Sequence, residues 1–67
     1  MDIRVLQYFL AVAREESITK AAKALQMTQP PLSRQLKDLE EEVGNQLLIR
    51  GRKTVTLTED GRLLRKR

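Results

Sequence analysis

Ser17-Ile18-Thr19-Lys20-Ala21-Ala22-Lys23-Ala24-Leu25-Gln26-Met27-Thr28-Gln29-Pro30-Pro31-Leu32-Ser33-Arg34-Gln35-Leu36 is the stretch that decides the fold. Ile18, Ala21, Ala22 and Leu25 keep the spacing of one helix face, and the two small alanines let another helix come close. Gln26, Met27 and Thr28 leave room only for a tight connection, with Met27 as an inward plug. A longer helix begins around Gln29–Pro30. Thr28 stands as its N-cap, and proline is tolerated in a first turn because the N–H it lacks has no intrahelical partner there. Leu32, Leu36, Leu39 and Val43 carry the core face of this helix, and Gly44 is suited to end it in the left-handed region.

The flanks complete the pattern. Upstream, a helix is expected over Ile3 to Glu15, N-capped by Asp2, with Leu6, Phe9, Leu10 and Ala13 on its buried face. Downstream, two β-like stretches cover Leu47–Arg50 and Thr54–Leu57. In the second, Val55 and Leu57 share one face and Thr54 and Thr56 the other. Gly51-Arg52-Lys53 forms the tip between them. Thr58-Glu59-Asp60 then reads as an N-cap followed by acids in a first helical turn. No internal repeat or low-complexity segment is present. The expected architecture is mainly α, a winged helix-turn-helix of three helices, a small β-hairpin wing and the start of a fourth helix. Residues 1–57 make the winged unit and residues 58–67 the beginning of that fourth helix.

Composition narrows what such a unit can do. Sixty-seven residues make one domain, close to the lower size limit for folding without staples. With no Cys and no His, disulfide and zinc devices are absent, as are the commonest nucleophile–base pairs. Neither an enzyme nor a metal or cofactor site is expected. No apolar run approaches the roughly 20 residues of a membrane span, and no signal-peptide core is visible, so a cytoplasmic location is expected. The net charge of +4 is unevenly spread: residues 1–28 carry +1, residues 29–49 carry −2 and residues 50–67 carry +5. A basic final quarter suits a polyanionic partner, or serves as a solubilising tail.

Placing the residues of the third helix at intervals of roughly 100° separates two faces. Leu32, Leu36, Leu39 and Val43 fall on one side, and Pro30, Arg34, Lys37 and Glu41 on the other with Ser33 at its edge. The cations sit in the first half and the acids in the second, so the N-terminal half can enter a major groove while the acidic end stays outside. Arg34 can pair bidentately with guanine O6 and N7, and Gln29 with adenine N6 and N7. Ser33 can reach a base edge or a phosphate, and Thr28 with the free N–H groups of the helix start suits a phosphate oxygen. The plainer alternative is local pairing of Arg34 with Asp38 and Lys37 with Glu41 across one turn. Arg50, Arg52 and Lys53 surround Gly51 at the wing, placed for backbone or minor-groove contact, or simply as edge-protecting charges. Arg62, Arg65, Lys66 and Arg67 fit a solvated helix face. With one Phe, one Tyr and no Trp, base-stacking platforms are not expected. A protein-binding module with an acidic partner and a basic segment on an anionic membrane are the other two classes this pattern admits.

Taken in order, these residues resemble the N-terminal domain of the LysR-type transcriptional regulators over roughly residues 3–61. Ser17 to Leu25 is similar to the first half of that family's motif. Thr28 to Leu36 with Leu39-Glu40 and Gly44 is similar to the second. Leu6-Gln7-Tyr8-Phe9-Leu10-Ala11-Val12-Ala13, Leu47, Arg50, Val55, Leu57-Thr58-Glu59 and Gly61 extend the likeness. The resemblance implies a bacterial transcription factor that binds double-stranded DNA at interrupted palindromes near promoters. It implies a long linker helix pairing two subunits into a homo-oligomer, and a C-terminal inducer domain. Positions matching Gln29, Pro30, Ser33 and Arg34 are implied to face the major groove, and those matching Arg52 or Lys53 the minor groove. Three departures carry expectations of their own. Pro31, where the family often has alanine, should push Pro30 out of the helix and shift its start. Leu48, in place of a frequent phenylalanine, should loosen packing under the wing. Gly51 comes one position early, which bears on the wing contacts. The short basic segment 58–67 offers little apolar seam, so this chain by itself is expected to be largely monomeric.

Overall fold

The computed structural model describes residues 3–51 and 54–66. The elements run α1 (Ile3–Glu15), α2 (Ile18–Leu25), α3 (Gln29–Val43), β1 (Leu48–Arg50), β2 (Val55–Leu57) and α4 (Glu59–Lys66). Helices α1, α2 and α3 pack on one another, and the hairpin closes one side of the bundle through contacts of β2 with α1 and α4. Phe9, Val12, Ala21, Leu32, Leu36, Leu39, Leu47 and Leu48 form the centre of the core. Ala21 and Ala22 are both buried, and their small size is what lets the neighbouring helices approach.

Caps explain the helix boundaries. Ser17 accepts the N–H of Lys20 on its Oγ at 3.2 Å, opening α2. At the other end Met27 N–H reaches Ala22 O at 2.9 Å and Gln26 N–H reaches Lys23 O at 3.1 Å, with Gln26 at φ 57°. This paired closure needs a left-handed residue, usually glycine, and it turns Met27 back against the core. Gly44 ends α3 at φ 84° and donates to Glu40 O. Thr58 opens α4 by accepting Gly61 N–H at 3.1 Å while donating to Gln46 O at 2.7 Å.

The hairpin is antiparallel, pairing Leu48 with Leu57, Ile49 with Thr56 and Arg50 with Val55. Gly51 N–H bonds Thr54 O across the base of the tip. Val55 N–H is accepted by Glu16 O at 2.9 Å, so the bend between α1 and α2 also holds the second strand. Glu16 adopts φ 55° to present that carbonyl.

Several expectations need correction. Leu10 is 39% exposed and outside the core, because the stripe of α1 turns toward Val5, Phe9 and Val12 with Ala11 and Ala13 beside them. Val43, in the last turn of α3, is also 39% exposed. Pro30 is not expelled from α3, which starts at Gln29 with both prolines in its first turn. That turn asks no hydrogen bond of residues 30 and 31, and burial of Leu32 fixes its phase. Thr28 takes the N-cap position but makes no side-chain cap bond. Such a bond draws on the N–H of the second or third helical residue, and here both are prolines. Asp2, named as the cap of α1, lies outside the described residues.

Candidate nucleic-acid interface

The buried leucines of α3 decide what its other side presents. With Leu32, Leu36 and Leu39 turned into the core, Gln29, Pro30, Arg34 and Lys37 are exposed and Ser33 is half-buried at the margin. Neither Arg34–Asp38 nor Lys37–Glu41 occurs among the ion pairs formed between described residues. The local pairing that competed with a binding role is therefore not formed, and both cations project from the outward face. Thr28 is exposed beside them, its hydroxyl released from capping by Pro30 and Pro31. The same prolines correct the expected set of free N–H groups at the helix start: in that first turn only Gln29 carries one ahead of Leu32.

Gln29 is held from another helix. Its Nε2 donates to Thr19 Oγ1, on α2, at 2.8 Å. Thr19 entered the sequence reading only as part of a motif, and nothing in a separation of ten residues across a turn advertises this contact.

On the wing side, Arg50 ends β1 with its guanidinium 4.0 Å from Glu40 Oε1 of α3, and its side chain is 42% exposed. Glu40 in turn accepts the backbone N–H groups of Leu47 and Leu48 on Oε2. Among the acids at the C-terminal end of α3, this one is spent on joining the helix to the strand. Arg52 and Lys53 lie outside the described residues. Arg62, Arg65 and Lys66 are exposed on α4, as expected of a solvated face. Among the described residues there is no cluster suited to hold a metal ion, and no helix is long and apolar enough to cross a membrane.

Three helices with a helix-turn-helix at their centre and a two-stranded wing define a winged helix-turn-helix domain. A sequence model described as bacterial regulatory helix-turn-helix protein, lysR family, matches residues 3–62. The chain belongs to this family. It is 59% identical over 63 residues to the probable cat1 operon transcriptional activator of Acinetobacter lwoffii, covering 94% of this chain and 21% of that protein. The fold matches the BenM DBD in its crystal structure with catB site 1 DNA, with a TM-score of 0.94 and 52% identity. That match covers 98% of this chain and 73% of the other. The CbnR DBD in its DNA complex matches with a TM-score of 0.96 at 39% identity, covering 98% of this chain and 76% of that one. The chain spans between about a fifth and two fifths of the length of the curated relatives it matches. These relatives are transcriptional regulators.

Proposed function

We propose that this chain is the sequence-specific, double-stranded DNA-binding domain of a bacterial LysR-type transcriptional regulator. Helix α3 enters the major groove and the wing approaches the minor groove. Gln29, Pro30, Ser33 and Arg34 meet base edges, Thr28 and Lys37 meet the flanking phosphates, and Arg50, Arg52 and Lys53 serve the wing. The observation that carries this reading is the outward face of α3. Its cations occupy the first half, are not tied to the neighbouring acids, and stand opposite a fully buried leucine stripe. Support comes also from the two structural relatives that are held in DNA complexes.

The wider reading follows from the family. Residues 1–57 act as the winged unit, and residues 58–67 begin the linker helix through which the whole regulator pairs. The target is an interrupted palindrome near a promoter, read in the cytoplasm. Selection of bound sequences from random duplex DNA tests the proposal. The expected result is an enriched half-site whose affinity falls steeply as salt rises, because bound cations release condensed counterions. Binding without sequence enrichment, or equal retention on heparin and anionic vesicles, would overturn it.

A further inference from the structure

The hydrogen bond between Gln29 and Thr19 has a consequence for specificity. We propose that Thr19, on α2, is a positioning residue that sets which base pair the Gln29 amide reads. The inference rests on the DNA-binding role proposed for α3. Gln29 is the first residue of α3, and both side chains are exposed at the shallow groove between α2 and α3 that Met27 and Pro30 also line. The side chain has three rotatable bonds, and its own helix gives it little support there: Thr28 forms no cap bond and the next two residues are prolines. What holds the amide is Thr19 Oγ1, 2.8 Å from Nε2.

The donor arithmetic leaves the base-reading edge intact. One amide hydrogen is given to Thr19, which leaves Gln29 a second amide hydrogen and Oε1 for the base. A donor next to an acceptor is the pattern that adenine N7 and N6–H require. Thr19 itself is well placed to be a fixed post. Its β-branched side chain restricts χ1, and it lies in the first turn of α2, where the residues three and four earlier are outside the helix. Its hydroxyl is thus not drawn back onto a helical carbonyl. Held in this way, the amide meets one base pair with its ordering cost already met. Released, it can satisfy itself on neighbouring bases or on phosphate.

The test uses the 67-residue chain with Thr19→Val, which keeps the shape and removes the hydroxyl, Thr19→Ser, which keeps the hydroxyl, and Gln29→Ala. Sequence selection with the parent chain and with Gln29→Ala first identifies the base pair that Gln29 governs. Thr19→Val is expected to relax preference at that same base pair and to weaken the selected duplex about threefold to tenfold, the range for releasing one ordered side chain. Affinity for random duplex and the melting temperature stay at the parent values, Thr19→Ser restores the preference, and the loss disappears in the Gln29→Ala background. Thr19→Ala, a better helix former, replaces Thr19→Val if that variant melts early. Equal weakening on selected and random duplexes would make Thr19 a phosphate contact and overturn the proposal. So would an unchanged preference in Thr19→Val where Gln29→Ala alters it, which leaves the DNA-binding reading intact. If Gln29→Ala alters no preference, the base-reading role of Gln29 fails and the positioning role with it.

Discussion

The carboxylate of Glu40 accepts the backbone N–H of Leu47 at 2.8 Å, and the same Oε2 takes the N–H of Leu48 at 3.1 Å. One side chain of α3 thereby fixes where the wing strand starts, and its other oxygen faces Arg50 at the end of that strand. Glu40→Ala strands two partly buried donors and should cost about 2–3 kcal/mol of stability. Glu40→Gln keeps an acceptor but loses the charge assistance, and should cost about 1 kcal/mol. Denaturant unfolding measures both. A change in Glu40→Ala within about 0.5 kcal/mol, ordinary for a surface substitution, would show that the clamp contributes nothing.

Gly61 separates helix propensity from packing. Inside α4, glycine to alanine should by propensity alone gain about 1 kcal/mol. Yet a Cβ at this position would collide with the Leu47 carbonyl oxygen and stand 3.3 Å from Leu57 Cβ. That carbonyl is itself held by Thr58 N–H at 3.0 Å, so it has little freedom to yield. Gly61→Ala is therefore expected to destabilise by about 1–3 kcal/mol. A thermal melt showing stabilisation would contradict the close approach of α4 to residue 47.

Gln26 offers the opposite case. At φ 57° it pays a steric cost that glycine does not, in a helix ending that commonly uses glycine. Gln26→Gly should gain up to about 0.5–1 kcal/mol after allowing for the freer unfolded chain. Gln26→Val, branched at Cβ, should lose at least that much. The order of their melting temperatures decides; Val above Gly would sink the argument.

Arg34 and Lys53 should differ in kind when DNA is bound. Arg34→Ala is expected to cost about 1–3 kcal/mol on the preferred site and to relax its sequence preference, as losing a base contact does. Lys53→Ala should weaken selected and random duplexes alike and reduce the salt slope by about one. Titrating both duplexes with each variant distinguishes the roles. If Arg34→Ala weakens the two duplexes equally, Arg34 does not read bases.

Assembly of this chain should depend on DNA. In α4, Leu63 is 56% exposed and Leu64 half-buried against the core, while Arg62, Arg65 and Lys66 surround them. Two such segments have a short apolar seam and like charges to bring together. A monomer is expected by analytical ultracentrifugation at micromolar concentration, with stronger binding to a correctly spaced palindrome than to one half-site. A stable dimer without DNA would move the interface elsewhere, to apolar surface such as the exposed Ile3 and Leu10 of α1, Val43 of α3 or Ile49 of the wing.

Local sequence was enough to place the elements and their ends. The expected α1 coincides with the observed one, α2 ends at Leu25 as the tight connection after it requires, and α3 and both strands begin and end within a residue or so of their expected limits. These features are local: a helical stripe, a serine cap, a glycine at φ 84° and an alternating Val55-Thr56-Leu57 each act over a few neighbouring residues. The outward face of α3 was legible for the same reason, since once Leu32, Leu36 and Leu39 are buried, Arg34 and Lys37 have to point away. Features that depend on distant neighbours emerged only from packing. Leu10 and Val43 have the right residue type and spacing for a core, but whether a helix edge is covered depends on how the other helices lie against it. Pro30 stayed in α3 because a buried Leu32 outweighs a backbone preference of its neighbour. Gln29 on Thr19, Glu40 on Leu47 and Gly61 under the Leu47 carbonyl join residues ten, seven and fourteen positions apart. No periodicity encodes such pairs, because they form only after the helices and the wing have packed and brought a donor and an acceptor, or a bare Cα and a carbonyl, into contact.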